Sequence, residues 1–252
     1  MRLTVLGSGA SYPGAGRACA GYLVQDGASA ILLDCGNGCV SNLARTVRPE
    51  DLDAVFVTHA HPDHFADLYA LQAALRYAPD GPAPSVDLYA PESVRDAMLA
   101  PLSDRGRAEM LEAFIVRALA PGEPVEVGGL TVTPWHAAHS VETYALDVRG
   151  SSGRLFYTSD SAFTDGLASF ASGADVLVAD ATLPEAYAGR APHMTPREAG
   201  ALAQQARVRT LVLTHLWPSI DRFGAAADAA REFNGRIMVA DEMLAIDLDE
   251  ED

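Results

Sequence analysis

Short apolar runs broken by turn residues, with helix-spaced stretches between them, dominate the chain. Runs at Arg2–Leu6, Gly21–Gln25 and Ala30–Leu33 predict three opening strands, the first two parted by a Gly/Ser/Pro loop over residues 7–16. A short helix is expected from Cys39 to Thr46. Ala54-Val55-Phe56-Val57 is a fully apolar strand ending at Thr58-His59. Phe65 to Tyr77 has helical spacing, with Leu68, Leu71 and Leu75 on one face. Further strands are predicted at Val86–Tyr89, Phe114–Val116, Leu130–Pro134, Tyr144–Val148 and Leu155–Tyr157. The second half continues with buried-strand runs at Ala174–Ala179 and Thr210–Leu213 and a helix from Thr195 to Ala206. That helix starts on Thr195 as N-cap, Pro196 at N1 and Glu198 at N3. A helix from Ile220 to Phe233 and strands at Arg236–Val239 and Leu244–Ile246 complete the pattern. Strands gather at the start of each half with helices between, so two sheets covered by helices are expected.

Composition narrows this to a globular protein with a substantial core: 49% of the 252 residues are hydrophobic and 21% charged. Eighteen basic against 34 acidic residues leave a net charge of −16, the wrong sign for gripping a long nucleic acid, though a local phosphate site is compatible with it. Cys19, Cys35 and Cys39 are odd in number and in no C-x-x-C spacing, so they read as small core residues of an intracellular protein rather than a disulfide framework. The opening apolar run is too short for a signal peptide, and no run approaches the ~20 residues of a membrane span. A single cytoplasmic α/β domain over residues 1–252 is expected, with residues 247–252 a solvated acidic tail.

The chemistry concentrates in His59-Ala60-His61-Pro62-Asp63-His64, between an apolar strand and a helix. At a strand end His59 and His61 point the same way, and the turn brings Asp63 and His64 to a second position nearby. Imidazole and carboxylate together suit a borderline metal such as zinc. Four ligands in six residues imply two adjacent ions, because one tetrahedral ion cannot take all four and keep a water. A surface histidine cluster is the plain alternative, and its chance placement after a buried strand is improbable.

His59-x-His61-x-Asp63-His64 resembles the signature of the metallo-β-lactamase superfamily, and further motifs follow in that family's order. Leu33-Asp34-Cys35-Gly36 resembles the Asp-containing turn ahead of the signature, His139 the third histidine, Asp160 the bridging aspartate and His215 the final histidine. The resemblance spans residues 2–247. It implies a four-layer α/β/β/α sandwich with His59, His61 and His139 on one metal, Asp63, His64 and His215 on a second, and Asp160 bridging. Two divalent ions are implied, with zinc favoured by ligand type and manganese or iron compatible with the same atoms.

Within the superfamily, His61 stands where the similar flavodiiron proteins carry Glu, which favours a zinc-type hydrolase. Asp160 stands where two-zinc β-lactamases carry Cys, which argues against antibiotic hydrolysis. His193, just ahead of a capped helix and followed by Glu198-Ala199, resembles the histidine motif of the phosphodiesterase branch that includes the tRNA 3′-processing nucleases. Gly7-Ser8-Gly9 and the Cys19–Leu23 stretch resemble the start of that branch. The long basic arm of those nucleases is missing, because His139 and Asp160 are only 21 positions apart.

The resemblance therefore implies a phosphodiesterase acting on a small-molecule diester such as a cyclic nucleotide. His193 would assist the leaving alkoxide, and Asp63 would be a metal ligand and accessory base. A thioester or lactone hydrolase with the same seven ligands is the first alternative, and a non-catalytic metal-binding protein the second. Homodimers are frequent in the family, but nothing in the sequence marks an interface. His136 beside Trp135 reads as structural, Arg17 and Arg190 as solvated unless they touch a phosphate, and the Gly-rich opening lacks the third glycine of a dinucleotide fingerprint.

Overall fold

The computed structural model describes residues 1–78 and 80–248. Two seven-stranded sheets stack face to face. The first contains β1 (Arg2–Gly7), β2 (Gly21–Asp26), β3 (Ser29–Leu33), β4 (Ala54–Phe56), β5 (Val86–Ala90) and β6 (Phe114–Ala118). The second contains β7 (Val125–Val127), β8 (Leu130–His136), β9 (Tyr144–Gly150), β10 (Gly153–Tyr157), β11 (Val176–Asp180), β12 (Thr210–Thr214) and β13 (Arg236–Val239), and β14 (Ala245–Asp247) returns to the free side of β1. In the first sheet β1, β2 and β3 pair antiparallel and β3 through β6 parallel. In the second, β7 through β10 pair antiparallel and β10 through β13 parallel.

Three apolar clusters account for the layers. Alternate residues of the facing strands, among them Leu3, Tyr22, Ile31, Phe56, Leu146, Leu155, Tyr157 and Val212, form the core between the sheets. The other face of the first sheet packs on α1 (Cys39–Leu43), α3 (Leu68–Arg76), α4 (Glu92–Leu99) and α5 (Asp104–Ala113) through Leu43, Leu71, Met98 and Met110. The outer face of the second packs on α6 (Asp165–Ala171), α7 (Pro196–Ala206) and α8 (Arg222–Ala229). The expected α/β/β/α order is the order observed. Cys19, Cys35 and Cys39 are fully buried, Cys35 and Cys39 within the core of the first sheet's outer face.

Several expectations need correction. The predicted Phe65–Tyr77 helix is two pieces, α2 (Pro62–Phe65) and α3. The Asp67 amide donates to Cys35 O instead of continuing the helical ladder, and the Asp67 carboxylate accepts from Val40 N. The close approach behind that break needs Gly36, since a Cβ there would sit 2.0 Å from Asp63 O. The Ile220–Phe233 helix is confined to α8, whose N-cap Asp221 accepts from Phe223 N and Gly224 N. Asp247 and Leu248 are not a solvated tail: Asp247 ends β14, 3.4 Å from Arg2 Nε, and Leu248 is buried in the central core. Residues 249–252 lie outside the described residues. The capping box at Thr195 and Glu198 forms as expected. Among the described residues no helix is long and apolar enough to cross a membrane.

Candidate metal centre

The site lies where β4, β8, β10, β11 and β12 run out at one end of the two sheets. Its foundation is Asp34, fully buried just past β3. Asp34 accepts from Thr58 N at 2.8 Å, from Thr58 Oγ1 at 3.0 Å, from Tyr157 OH at 2.8 Å, and lies 2.8 Å from His64 Nδ1. These bonds fix the chain leaving β4, so the segment His59–His64 starts from a rigid point. His61 takes the N-cap position of α2, its side chain free of the helix end, and Pro62 takes the first position, turning Asp63 and His64 back over the strand end.

Two donor sets result. His59, His61, His139 and Asp160 form one, and Asp63, His64 and His215 the other, with the ligand atoms of each set within 4.8 Å of one another. In the first, His61 Nδ1 is 3.1 Å from His59 Nε2 and 3.2 Å from His139 Nε2. In the second, His64 Nε2 is 3.2 Å from His215 Nε2, which is 3.3 Å from Asp63 Oδ2. Asp160 stands between them: Oδ2 is 3.5 Å from His59 Nε2 and Oδ1 is 3.2 Å from His64 Nε2. All seven residues singled out from the sequence therefore meet at one place.

The second ring nitrogen of each of three histidines is held by a neighbour. His59 Nδ1 meets Thr58 Oγ1 at 3.0 Å, His139 Nδ1 meets Pro192 O at 3.0 Å, and His215 Nδ1 meets Thr182 Oγ1 at 2.7 Å. Anchoring of this kind sets tautomer and ring orientation for a metal ligand. Burial, with His64 adding to it, pushes the His59 pKa well below the usual histidine value, and burial also lowers His61 and His139. These three rings are thus neutral, the form that ligates. Burial would lower His64 too, but Asp160 and Asp34 outweigh it and hold its pKa well above the usual value. Burial opposes ionisation of Asp160 and Asp63, yet His215 and His64 keep both carboxyls well below the usual range.

Two features fit a cation between the sets. Asp160 Oδ1 is buried and makes no well-formed hydrogen bond among the described residues; its polar neighbours, His64 Nε2 at 3.2 Å and His215 Nδ1 at 3.3 Å, belong to histidines of the second donor set. Imidazole nitrogens also converge to within 3.2 Å of one another, where lone pairs repel unless a proton or a cation lies between them.

His193 joins the same cluster. Its ring is edge-on to His139 with centroids 4.9 Å apart and stacked on His215 at 5.6 Å. Asp180, at the end of β11 and fully buried, accepts from His193 Nδ1 at 2.7 Å. Burial would lower the His193 pKa, but the bond to Asp180 and its charge raise it. Asp180 is the residue that sequence reasoning missed. It also accepts from Thr182 N and Ser161 N, and its carboxylate belongs to a third group with Asp160, His193 and His215. The available signal was a polar, metal-capable side chain at the end of an apolar strand, a position Asp180 shares with Asp160 and His215, but no family motif pointed to it. His136 is exposed, stacked on Tyr144 away from the cluster. Arg17 is occupied by Asp241 and Glu242 at 2.5 and 2.8 Å.

A fold of this architecture with paired His/Asp donor sets defines the class of metallo-hydrolases. A model of the β-lactamase superfamily domain matches residues 29–216, and the chain belongs to that superfamily. It is 32% identical over 248 residues to the probable metallo-hydrolase YhfI of Bacillus subtilis, covering 95% of this chain and 97% of that one. The crystal structure of YhfI superposes with a TM-score of 0.87 at 29% identity, covering 97% and 98% of the two chains. Ribonuclease Z of Mycobacterium bovis is 29% identical over 278 residues, covering 98% of each. A diphosphatase of the PhnP family shares the fold, with a TM-score of 0.76 at 21% identity over 98% of this chain and 97% of that one. The family and the clustered donors together indicate a metal-dependent hydrolase.

Proposed function

We propose that the protein is a dinuclear metal-dependent phosphodiesterase acting on a small diester, with a cyclic nucleotide as the leading substrate. The observation that carries the reading is Asp160, a buried carboxylate with Oδ2 toward the first donor set and Oδ1, which forms no well-made hydrogen bond among the described residues, toward the second. His59, His61 and His139 would hold one ion, Asp63, His64 and His215 the other, and Asp160 both, zinc being the ion these donors suit best. When bound, such ions supply a water of lowered pKa and stabilise charge on the phosphoryl oxygens.

The chain's own residues then do the proton work. His193 keeps Nδ1 on Asp180, which leaves Nε2 as the donor to the oxygen of the departing alkoxide. The P–O bond to that alkoxide breaks as the bond from water oxygen to phosphorus forms, and the proton lost by the water can pass to Asp63. Asp63 is itself steadied by Ser11 N at 2.6 Å. An alkoxide is strongly basic and needs such an acid, whereas a thiolate leaves without one, so the His193–Asp180 pair favours the diester over the thioester reading. A small substrate is supported by what joins His139 to Asp160: strands β9 and β10 and their tight turn at residues 150–153, with no inserted arm. The name of one relative, Ribonuclease Z, also points to phosphodiester chemistry.

The test is a substrate panel on metal-loaded protein: 3′,5′- and 2′,3′-cyclic nucleotides, bis-p-nitrophenyl phosphate, thioesters and lactones, with metal content measured in parallel. About two ions per chain and turnover of a diester are expected, with loss of both on chelation. Turnover of thioesters or lactones alone would replace the reading, and two bound ions with no turnover of any class would point to a metal-binding protein.

A further inference from the structure

Between Thr182, which anchors His215, and Pro192 and His193 at its other end, the segment joining β11 to α7 takes no part in the chemistry described above, yet it carries a second group of side chains beside the site. Arg190 and His193 line one open cleft of about 550 Å³, together with Phe163. The Arg190 guanidinium lies 5.0 Å from the centroid of the Tyr187 ring, on its face, and forms no ion pair with a carboxylate among the described residues. All 18 basic residues of this chain are arginine, against 34 acids, and most of them spend their charge on a neighbouring carboxylate. Tyr187 is 45% exposed, and its ring meets Trp217 at 71° with centroids 6.5 Å apart. Trp217 follows the donor His215 by two residues, which ties this aromatic corner to the site.

An arginine parked on a ring rather than on an acid keeps its planar fork available for an anion. Two aromatic rings standing partly in solvent offer faces to a flat, apolar group. We infer that Tyr187, Arg190 and Trp217 form a recognition rim for a nucleotide, with the base against the Tyr187–Trp217 corner and the phosphate held by Arg190 beside His193. The inference rests on the phosphodiester reading and narrows its substrate to one with a planar base.

Calorimetric binding to the metal-loaded protein separates the parts, using 5′-AMP, adenosine and inorganic phosphate as probes. Arg190→Gln weakens AMP and phosphate roughly 10-fold and leaves adenosine within two-fold, as expected for one charge-assisted contact. Trp217→Leu weakens AMP and adenosine roughly 10-fold and spares phosphate, with Trp217→Phe restoring most of the loss. Metal content of the Trp217 variants is checked, because a fall there would weaken phosphate as well. Absence of AMP binding to the unaltered protein, or equal losses for all three probes in each variant, overturns the rim. Retained AMP and adenosine selectivity in a protein that hydrolyses no diester would instead sink the phosphodiesterase reading and leave the rim standing.

Discussion

The first half of the molecule runs three antiparallel strands, β1 to β3, and then continues parallel through β4, β5 and β6. The second half repeats that plan with β8 to β10 and then β11, β12 and β13. Each third strand ends in a left-handed residue, Asp34 after β3 with φ 57° and Ser159 after β10 with φ 53°. Such positions cost of order 1–3 kcal/mol and are held where the surroundings dictate them. From this common scaffold the halves diverge. The first delivers four donors from a single six-residue turn after β4, braced by Asp34. The second delivers its donors one at a time, His139 after β8, Asp160 after β10 and His215, again left-handed at φ 54°, after β12. A compact donor turn can be built by local sequence, whereas scattered donors depend on the register of the five strands from β8 to β12.

The sharpest way to break this comparison is through the residue that joins the two contributions. Asp160→Asn removes the charge facing both donor sets without changing shape. Turnover of a diester should fall ~10⁴-fold or more, and metal analysis should show one ion lost more readily than the other. Two ions retained with near-normal turnover would mean that the sets do not share Asp160.

His193 comes next in size. His193→Ala should leave both ions in place and slow a nucleotide-type diester by ~10²–10⁴, with a much smaller loss for p-nitrophenyl esters, whose leaving group needs no acid. Equal losses for good and poor leaving groups would reduce His193 to a packing residue. Asp180→Asn should cost less, roughly 10–100-fold, because it acts through His193 and Thr182. Combined with His193→Ala it should add little, a coupling that a purely structural Asp180 would not show.

The same asymmetry governed what the sequence disclosed. The first-half motif lies within six residues and states its chemistry by spacing alone. His139, Asp160 and His215 are single residues, legible only through their order along the chain and their resemblance to family motifs. Asp180 matched no such motif, although it closes a buried strand as they do. The fold followed a similar rule. Strands with strong apolar runs were placed to within a few residues, and α7 was marked by its capping box. The helices α4 and α5 and the short strand β7 went unread because their faces are largely polar or half-exposed. The break between α2 and α3 was hidden because Asp67 is diverted by a contact from Cys35, far off in sequence.

Smaller effects test the scaffold rather than the chemistry. Thr195→Ala removes one side of the capping box that starts α7, two residues after His193. About 1 kcal/mol of stability should be lost. For a domain of this size that corresponds to a fall in Tm of about 2–4 °C, read by thermal unfolding. Turnover should drop only if the helix start also fixes His193.

The smallest expected effect lies at another join between the halves, and its signature is pH. Asp26, at the end of β2, accepts from Ser151 N and Ser151 Oγ in the turn between β9 and β10, and the amino terminus is 3.5 Å away. Burial opposes its ionisation, but the bonds from Ser151 and the nearby amino group hold its carboxyl below the usual range. A carboxylate whose folded pKa is depressed stabilises the fold fully above the unfolded value of about 3.9 and loses that contribution as pH falls through the folded value. Asp26→Asn should therefore cost about 0.5–1 kcal/mol at neutral pH, a figure kept low because the Ser151 side is open to water. The gap between variant and wild type should close as denaturation is repeated at successively lower pH below 4. A gap that stays constant across that range would show that shape, not charge, joins the two sheets at this end, while Asp160→Asn reports on charge at the other.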